Sequence, residues 1–219
     1  MWWKGQRMDN PTSDNDEPIA QRNSRANLER ILGEMIEVPE QRAELAQAVV
    51  EIFSQDKAVL VLDMTGFSRT TQRHGIVSFL LMIHKMQLIA RPAVDAHRGL
   101  LVKAEADNLF CLFDTVADAV RAGQDILERL NAANLLLPED RRLFVSIGIG
   151  FGNILNVADE DLFGNEVNLA SKLGEDVAER GEILLTAAAR TQLHEADIPV
   201  REEMVSISGL DVTYYKIQS

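Results

Sequence analysis

Two aspartates, Asp63 and Asp107, each stand at the end of a short apolar run. Asp63 closes Val59-Leu60-Val61-Leu62 and leads into Met64-Thr65-Gly66-Phe67-Ser68. Asp107 follows Leu101-Val102-Lys103-Ala104-Glu105-Ala106 and precedes Asn108-Leu109-Phe110. Each run reads as a buried strand that delivers one carboxylate at its end. Carboxylates placed there repel and burden a core unless a cation lies between them. On neighbouring strands the two would form a site for Mg²⁺ or Mn²⁺ and a triphosphate. Gly66 allows close backbone approach, and the N–H groups opening the helix after it favour an anion. An ordinary helix cap accounts for the same loop, and Asp107-Asn108 also suits a tight turn. A third stretch runs from Asp161 to Lys172. On a helix starting at Asn165, Asn168 and Lys172 are four apart and share a face. An amide and an ammonium beside apolar Val167 and Ala170 are unusual for pure core, although a solvated helix face explains them as well.

The elements that must position these residues can be read from periodicity and turn chemistry. Residues 57–64 form a strand, and a long helix runs from about 68 to 96, kinked or ended by Pro92. Residues 100–103 and 109–113 form a hairpin turning at Asp107-Asn108. Asp114 or Thr115 caps the next helix, whose apolar face holds Val116, Ala119, Val120, Leu127 and Leu130. Residues 143–151 are a strand with 152–157 as its partner, and a helix runs from Asn165 to about Arg180. A strand at 182–186, a short helix at 187–193 and a strand pair at 201–207 and 212–217 complete the order βαββαββαβαββ. This order predicts an α+β fold on the ferredoxin-like βαββαβ plan, a mixed, largely antiparallel sheet with helices on one side. Residues 1–18 are polar and read as disordered. Residues 19–56 carry two helical stripes separated by Pro39, either a packing pair or a dimerisation or signal-transmitting extension.

Composition narrows the function classes. The chain has 219 residues, 46% hydrophobic and 26% charged, enough for one full domain with a core and an extension. A formal net charge of -12 disfavours nucleic acid but not a nucleotide held through metal ions. No run reaches the roughly 18 apolar residues of a spanning helix, and Met1-Trp2-Trp3-Lys4-Gly5 is too short for a signal peptide. A single cysteine, Cys111, lies in an apolar strand as a packed thiol and fits a cytoplasmic setting. His74, His84, His97 and His194 are scattered without zinc-ligand spacing.

Taken together, the three stretches resemble the class III nucleotidyl cyclases, the adenylate and guanylate cyclase catalytic domain, over residues 57–219. The family's first signature, an aspartate followed by Gly-Phe-Thr or Gly-Phe-Ser, matches Asp63 with Gly66-Phe67-Ser68. Its second, a lysine four residues before an aspartate, matches Lys103 and Asp107. Its third matches Asp161, Gly164, Val167, Asn168, Ala170 and Ser171 in register. The resemblance implies that Asp63, Asp107 and the Met64 carbonyl hold two Mg²⁺ or Mn²⁺ ions, and that backbone groups of Thr65, Gly66, Phe67 and Ser68 cradle the triphosphate. It implies further that Lys103 and Asp161 recognise adenine, that Asn168 orients the ribose, and that Lys172 stabilises transition-state charge. In the family, the metal and base residues of one site come from opposite chains, so a chain with both sets implies a head-to-tail homodimer making cyclic AMP from ATP.

The match departs at four positions. Lys172 stands where active members have arginine, losing the planar fork, and a cost of about 10- to 1000-fold in rate follows if nothing replaces it. Ala106 replaces a glycine, Ser208 stands in place of a lysine, and Glu105 reads as an exposed strand residue or a carboxylate behind the metal ligands. These departures keep open a cyclase for GTP or a pyrimidine nucleotide, and a weakened nucleotide-binding regulator. A plain dimerisation module would need none of the aspartates at these spacings.

Overall fold

The computed structural model describes residues 22–65, 67–194, 198–207 and 209–218. The expected disorder of residues 1–18, Gly66 and Ser208 lie outside the described residues, as do the side chains of residues 67–74. The chain divides into two units, Met1–Phe53 and Ser54–Ser219. In the first, α1 (Arg25–Glu37) is capped by the Ser24 hydroxyl, which accepts from the Asn27 N–H. A short 3₁₀ turn at Pro39–Gln41 separates α1 from α2 (Arg42–Phe53).

The second unit is built on β1 (Ser54–Met64), α3 (Phe67–Ala96), β2 (Leu100–Glu105), β3 (Asn108–Phe113) and α4 (Val116–Asn134). Then follow β4 (Val145–Val157), β5 (Asp161–Phe163), α5 (Asn165–Lys172), β6 (Ile183–Thr186), α6 (Ala187–Gln192), β7 (Val200–Ile207) and β8 (Leu210–Ile217). The sheet order is β2-β3-β1-β4-β6-β8-β7, with β5 paired to β4. Every pairing is antiparallel except β4 with β6. The element order is the one expected, and the fold is α+β with a mixed sheet.

Three details correct the expectation. First, residues 152–157 do not turn back on 143–151. β4 is one continuous strand, and its first eleven residues pair along the whole of β1, from Ser54↔Leu155 to Met64↔Val145. Its end pairs instead with β5, Leu155↔Phe163 to Val157↔Asp161. Gly152 reads locally as a turn, but cross-strand pairing with Lys57 keeps it extended.

Second, helices cover both faces. From Ala58 to Leu62, β1 is apolar without alternation and fully buried. Ala58, Leu60, Leu62 and Met64 pack with Phe79, Met86 and Ile126 of α3 and α4. Val59 and Val61 face the other way, onto Val167 and Ala170 of α5. A strand buried on both sides needs cover on both sides. The helix from Asn165 also ends earlier than expected, passing at Leu173 into a π turn that closes at Val177.

Third, α3 continues past Pro92 to Ala96 and breaks instead at Gly75, whose φ of 77° suits glycine. Its Gly75–Ala96 portion is long and apolar enough, by length and composition, to cross a membrane. His84, Lys85 and Arg91 interrupt it, so no unbroken apolar run marks it in the sequence. Phe79, Ile83, Met86, Ala90 and Val94 enter the core, while Val77, Leu81 and Leu88 are exposed.

Candidate active site

Asp63 and Ser146 are cross-strand partners, so their side chains share the sheet face that α5 covers. Seating a helix there requires the absence of side chains beneath it. Gly148, Gly150 and Gly152 alternate along β4 on this face. A Cβ at Gly148 would lie 2.0 Å from the Ala170 carbonyl oxygen and 2.7 Å from the Gly174 nitrogen. One at Gly150 would lie 2.7 Å from the Glu166 carbonyl oxygen. The helix therefore rests backbone on backbone. Glu166 locks it from the side, its Oε2 accepting from the Phe151 N–H at 3.2 Å and the Thr186 hydroxyl at 2.7 Å. Neither the glycine stripe nor Glu166 was singled out from sequence, although the period-2 run of glycines was there to be seen.

The seated helix presents Asn168, which is exposed, and Lys172, whose side chain is 44% exposed and lies 4.0 Å from Asp176. Burial raises the Asp63 carboxyl to about 7, helped by the charges of Asp107, Glu175 and Asp176. Glu175 is raised as well, first by burial, then by Asp176 and Asp107, with Lys172 opposing. Its Oε1 accepts from Asn108 Nδ2 at 3.1 Å, tying the π turn to the β2–β3 hairpin. The sequence reading brought Asp63 and Asp107 together but not Glu175. The π turn that delivers it has no local signature.

This electrostatic strain is what a cation would relieve. Among the described residues no group of three or more His, Cys, Asp or Glu side chains is arranged to hold a metal ion. A carboxylate pair supplemented by a backbone carbonyl and substrate phosphates is how Mg²⁺ is commonly held. The oxygen donors here fit that pattern, with Asp63, Asp107 and the Met64 carbonyl as the candidates. Two buried hydroxyl oxygens nearby in sequence or pairing, Thr65 Oγ1 and Ser146 Oγ, have no protein partner.

The expected phosphate cradle needs one correction. The Thr65 N–H is already spent on the Phe144 carbonyl at 3.0 Å. Continuation of the β1–β4 pairing one residue past Met64 takes it. Of the four cradle residues, Phe67 and Ser68 open α3.

The hairpin turns at Ala106-Asp107, one residue earlier than expected, with Ala106 at φ 51°. That left-handed conformation strains an alanine and explains why a glycine suits the position. A bulge at Val102 shifts the register so that Lys103 pairs with Phe110. The Lys103 ammonium then sits 4.7 Å from the Phe110 ring centre. It donates to Asp161 at 2.8 Å and to Glu105 at 3.1 Å. Burial works to lower the Lys103 ammonium, but the hydrogen bonds to Asp161 and Glu105 outweigh it and hold it above its ordinary value. The Glu105 side chain is 63% exposed, as the exposed alternative had it.

The site residues thus form two groups in one chain: Asp63, Asp107 and Glu175 with Lys172, and Lys103 with Asp161 and Glu105. No protein-family model matches the chain. The putative adenylate cyclase 3 of Rhizobium meliloti is 30% identical over 137 residues, 63% of this chain and 23% of that protein. An adenylate cyclase of Streptomyces coelicolor is 28% identical over 152 residues, 69% of this chain and 38% of that protein. This chain therefore spans less than two fifths of either relative. Among solved structures, an adenylate/guanylate cyclase/hydrolase from Silicibacter pomeroyi superposes with a TM-score of 0.63 at 25% identity, covering 75% of this chain and 96% of that one. Guanylyl cyclase domains also share the fold.

Proposed function

We propose that this chain, a member of the class III nucleotidyl cyclase family, converts ATP to 3′,5′-cyclic AMP and pyrophosphate. The sites would be shared between two copies arranged head to tail. The observation that carries this reading is that one chain holds both halves. Asp63 lies within the field of the Asp107 and Glu175 charges, and Lys103 and Asp161 are paired at 2.8 Å.

In the proposed reaction the ribose 3′-oxygen bonds to the α-phosphorus, the bond to the β-phosphate oxygen breaks, and the hydroxyl proton passes to water. Divalent ions bound between Asp63 and Asp107 would neutralise the phosphates and acidify the 3′-hydroxyl. The chain does the positioning. Lys103 donates to ring N1 of adenine and Asp161 accepts from the 6-amino group. Asn168 holds the ribose so that attack is in line. Lys172 brings positive charge to the phosphoryl group as charge develops there.

The test is the purified full chain with ATP and Mn²⁺, with cyclic AMP read by mass spectrometry. Lys172→Arg is expected to raise turnover by about 10-fold or more, since the planar fork contacts two phosphoryl oxygens at once. ATP binding without product in both proteins would replace this reading with that of a nucleotide-binding regulator.

A further inference from the structure

The ammonium of Lys103 is bracketed by two carboxylates, whereas the proposed recognition of adenine employs only one. Asp161 and Glu105 accept from it at 2.8 and 3.1 Å. Lys103 and Glu105 are two apart on β2 and therefore project to the same face of the strand. The Phe110 ring beneath the ammonium fixes its height. An ammonium has three N–H donors. Two are engaged by the carboxylates, and the third remains for a ligand atom. Glu105 is exposed enough to be reached by that ligand as well.

We propose that Glu105 is a specificity-determining residue that gives the base site a second hydrogen-bonding register, in which guanine is held by Lys103 and Glu105. The inference rests on the base-recognition reading of Lys103 and Asp161 given above. Adenine presents a 6-amino donor beside the N1 acceptor, which matches a carboxylate beside an ammonium, Asp161 then Lys103. Guanine presents the O6 acceptor beside two donors, N1–H and the 2-amino group. In the adenine register it meets two mismatches, a carboxylate against O6 and an ammonium against N1–H. Moved by one position, O6 faces Lys103, and the two donors face the Glu105 carboxylate, which can accept both. Asp161 serves the first register and Glu105 the second, with Lys103 common to both. A site that leaves buried donors or acceptors unpaired rejects its ligand strongly, so a second carboxylate in this place widens base choice rather than sharpening it.

The experiment compares kcat/KM for GTP and ATP, each with Mn²⁺, in the full-length wild type, Glu105→Ala and Asp161→Asn. Affinities for non-cyclisable GTP and ATP analogues are measured in parallel. Wild type is expected to turn over both nucleotides. The GTP-to-ATP ratio is expected to fall at least about tenfold in Glu105→Ala and to rise in Asp161→Asn, in kinetics and in binding alike. Wild-type cyclisation of ATP with no use of GTP overturns the inference. So does a ratio in Glu105→Ala within threefold of wild type. A wild type that binds neither analogue, or an Asp161→Asn variant with unchanged ATP affinity, overturns the base-recognition reading itself.

Discussion

Asp63→Asn is expected to abolish cyclic nucleotide formation, by about a thousandfold or more, while raising the thermal stability of the metal-free protein. The two effects have opposite signs because they come from the same charge. In the folded chain Asp63 is partly desolvated and faces Asp107, Glu175 and Asp176. Removing its charge relieves repulsion that the fold otherwise tolerates. With the exposed share of the carboxylate discounted for screening, the gain is about 1 kcal/mol, or a rise of about 2–4 °C in Tm for a domain of this size. The asparagine keeps the shape but loses one of two anionic oxygen donors to the proposed ions, and with it the electrostatic stabilisation on which the displacement depends. Differential scanning fluorimetry in chelator, together with product formation in Mn²⁺, measures both. A variant that loses activity and also loses stability would mean that Asp63 is a structural carboxylate. Sites that sacrifice stability for chemistry show the divergence expected here.

Gly148→Ala is expected to be the most damaging single-methyl change in the domain. Its Cβ would fall 2.0 Å from the Ala170 carbonyl oxygen and 3.0 Å from the Ala170 carbonyl carbon. These are backbone atoms and cannot rotate aside. Either β4 leaves the sheet plane or α5 lifts away. Overpacking of this kind costs about 3 kcal/mol, at the upper end of the usual range, and Tm falls by about 6–12 °C. Activity falls further than stability, because α5 carries Asn168 and Lys172, and a displacement of about 1 Å in positioning groups costs on the order of 100-fold. Gly152→Ala is the matched control. Its nearest neighbour would be the Glu166 side-chain Cγ at 3.0 Å, a flexible group that can yield. Equal losses in the two variants would show that the close approach of α5 is not what Gly148 secures.

Asp63 and Gly148 differ in how far the sequence alone reveals their roles. Asp63 was legible because a carboxylate ending a buried apolar run is chemically conspicuous. The Lys103–Asp107 spacing and the run from Asp161 to Ser171 were legible because they match known signatures in order. The element order of the second unit followed from periodicity and turn residues. Gly148 was not read, because what it permits is contact with Ala170 and Gly174, residues brought to it only by the tertiary fold. The cover on the second face of the sheet escaped for a related reason. β1 shows that both faces are buried, but nothing local says which helix covers which face. Glu175 reaches the site through a π turn, and Glu105 becomes meaningful only when a bulge at Val102 lays Lys103 over Phe110 between two carboxylates. Each of these depends on a long-range pairing, and periodicity along the chain does not encode such pairings.

The proposed reaction depends most on divalent ions sitting between Asp63 and Asp107. Crystals of the full chain grown with a non-cyclisable ATP analogue and soaked in Mn²⁺ would test it most directly, by anomalous diffraction at the manganese edge. Anomalous density is expected within about 2.0–2.5 Å of carboxylate oxygens of both Asp63 and Asp107, with the nucleotide phosphates completing the coordination. Bound nucleotide with no manganese shared between the two aspartates would contradict it.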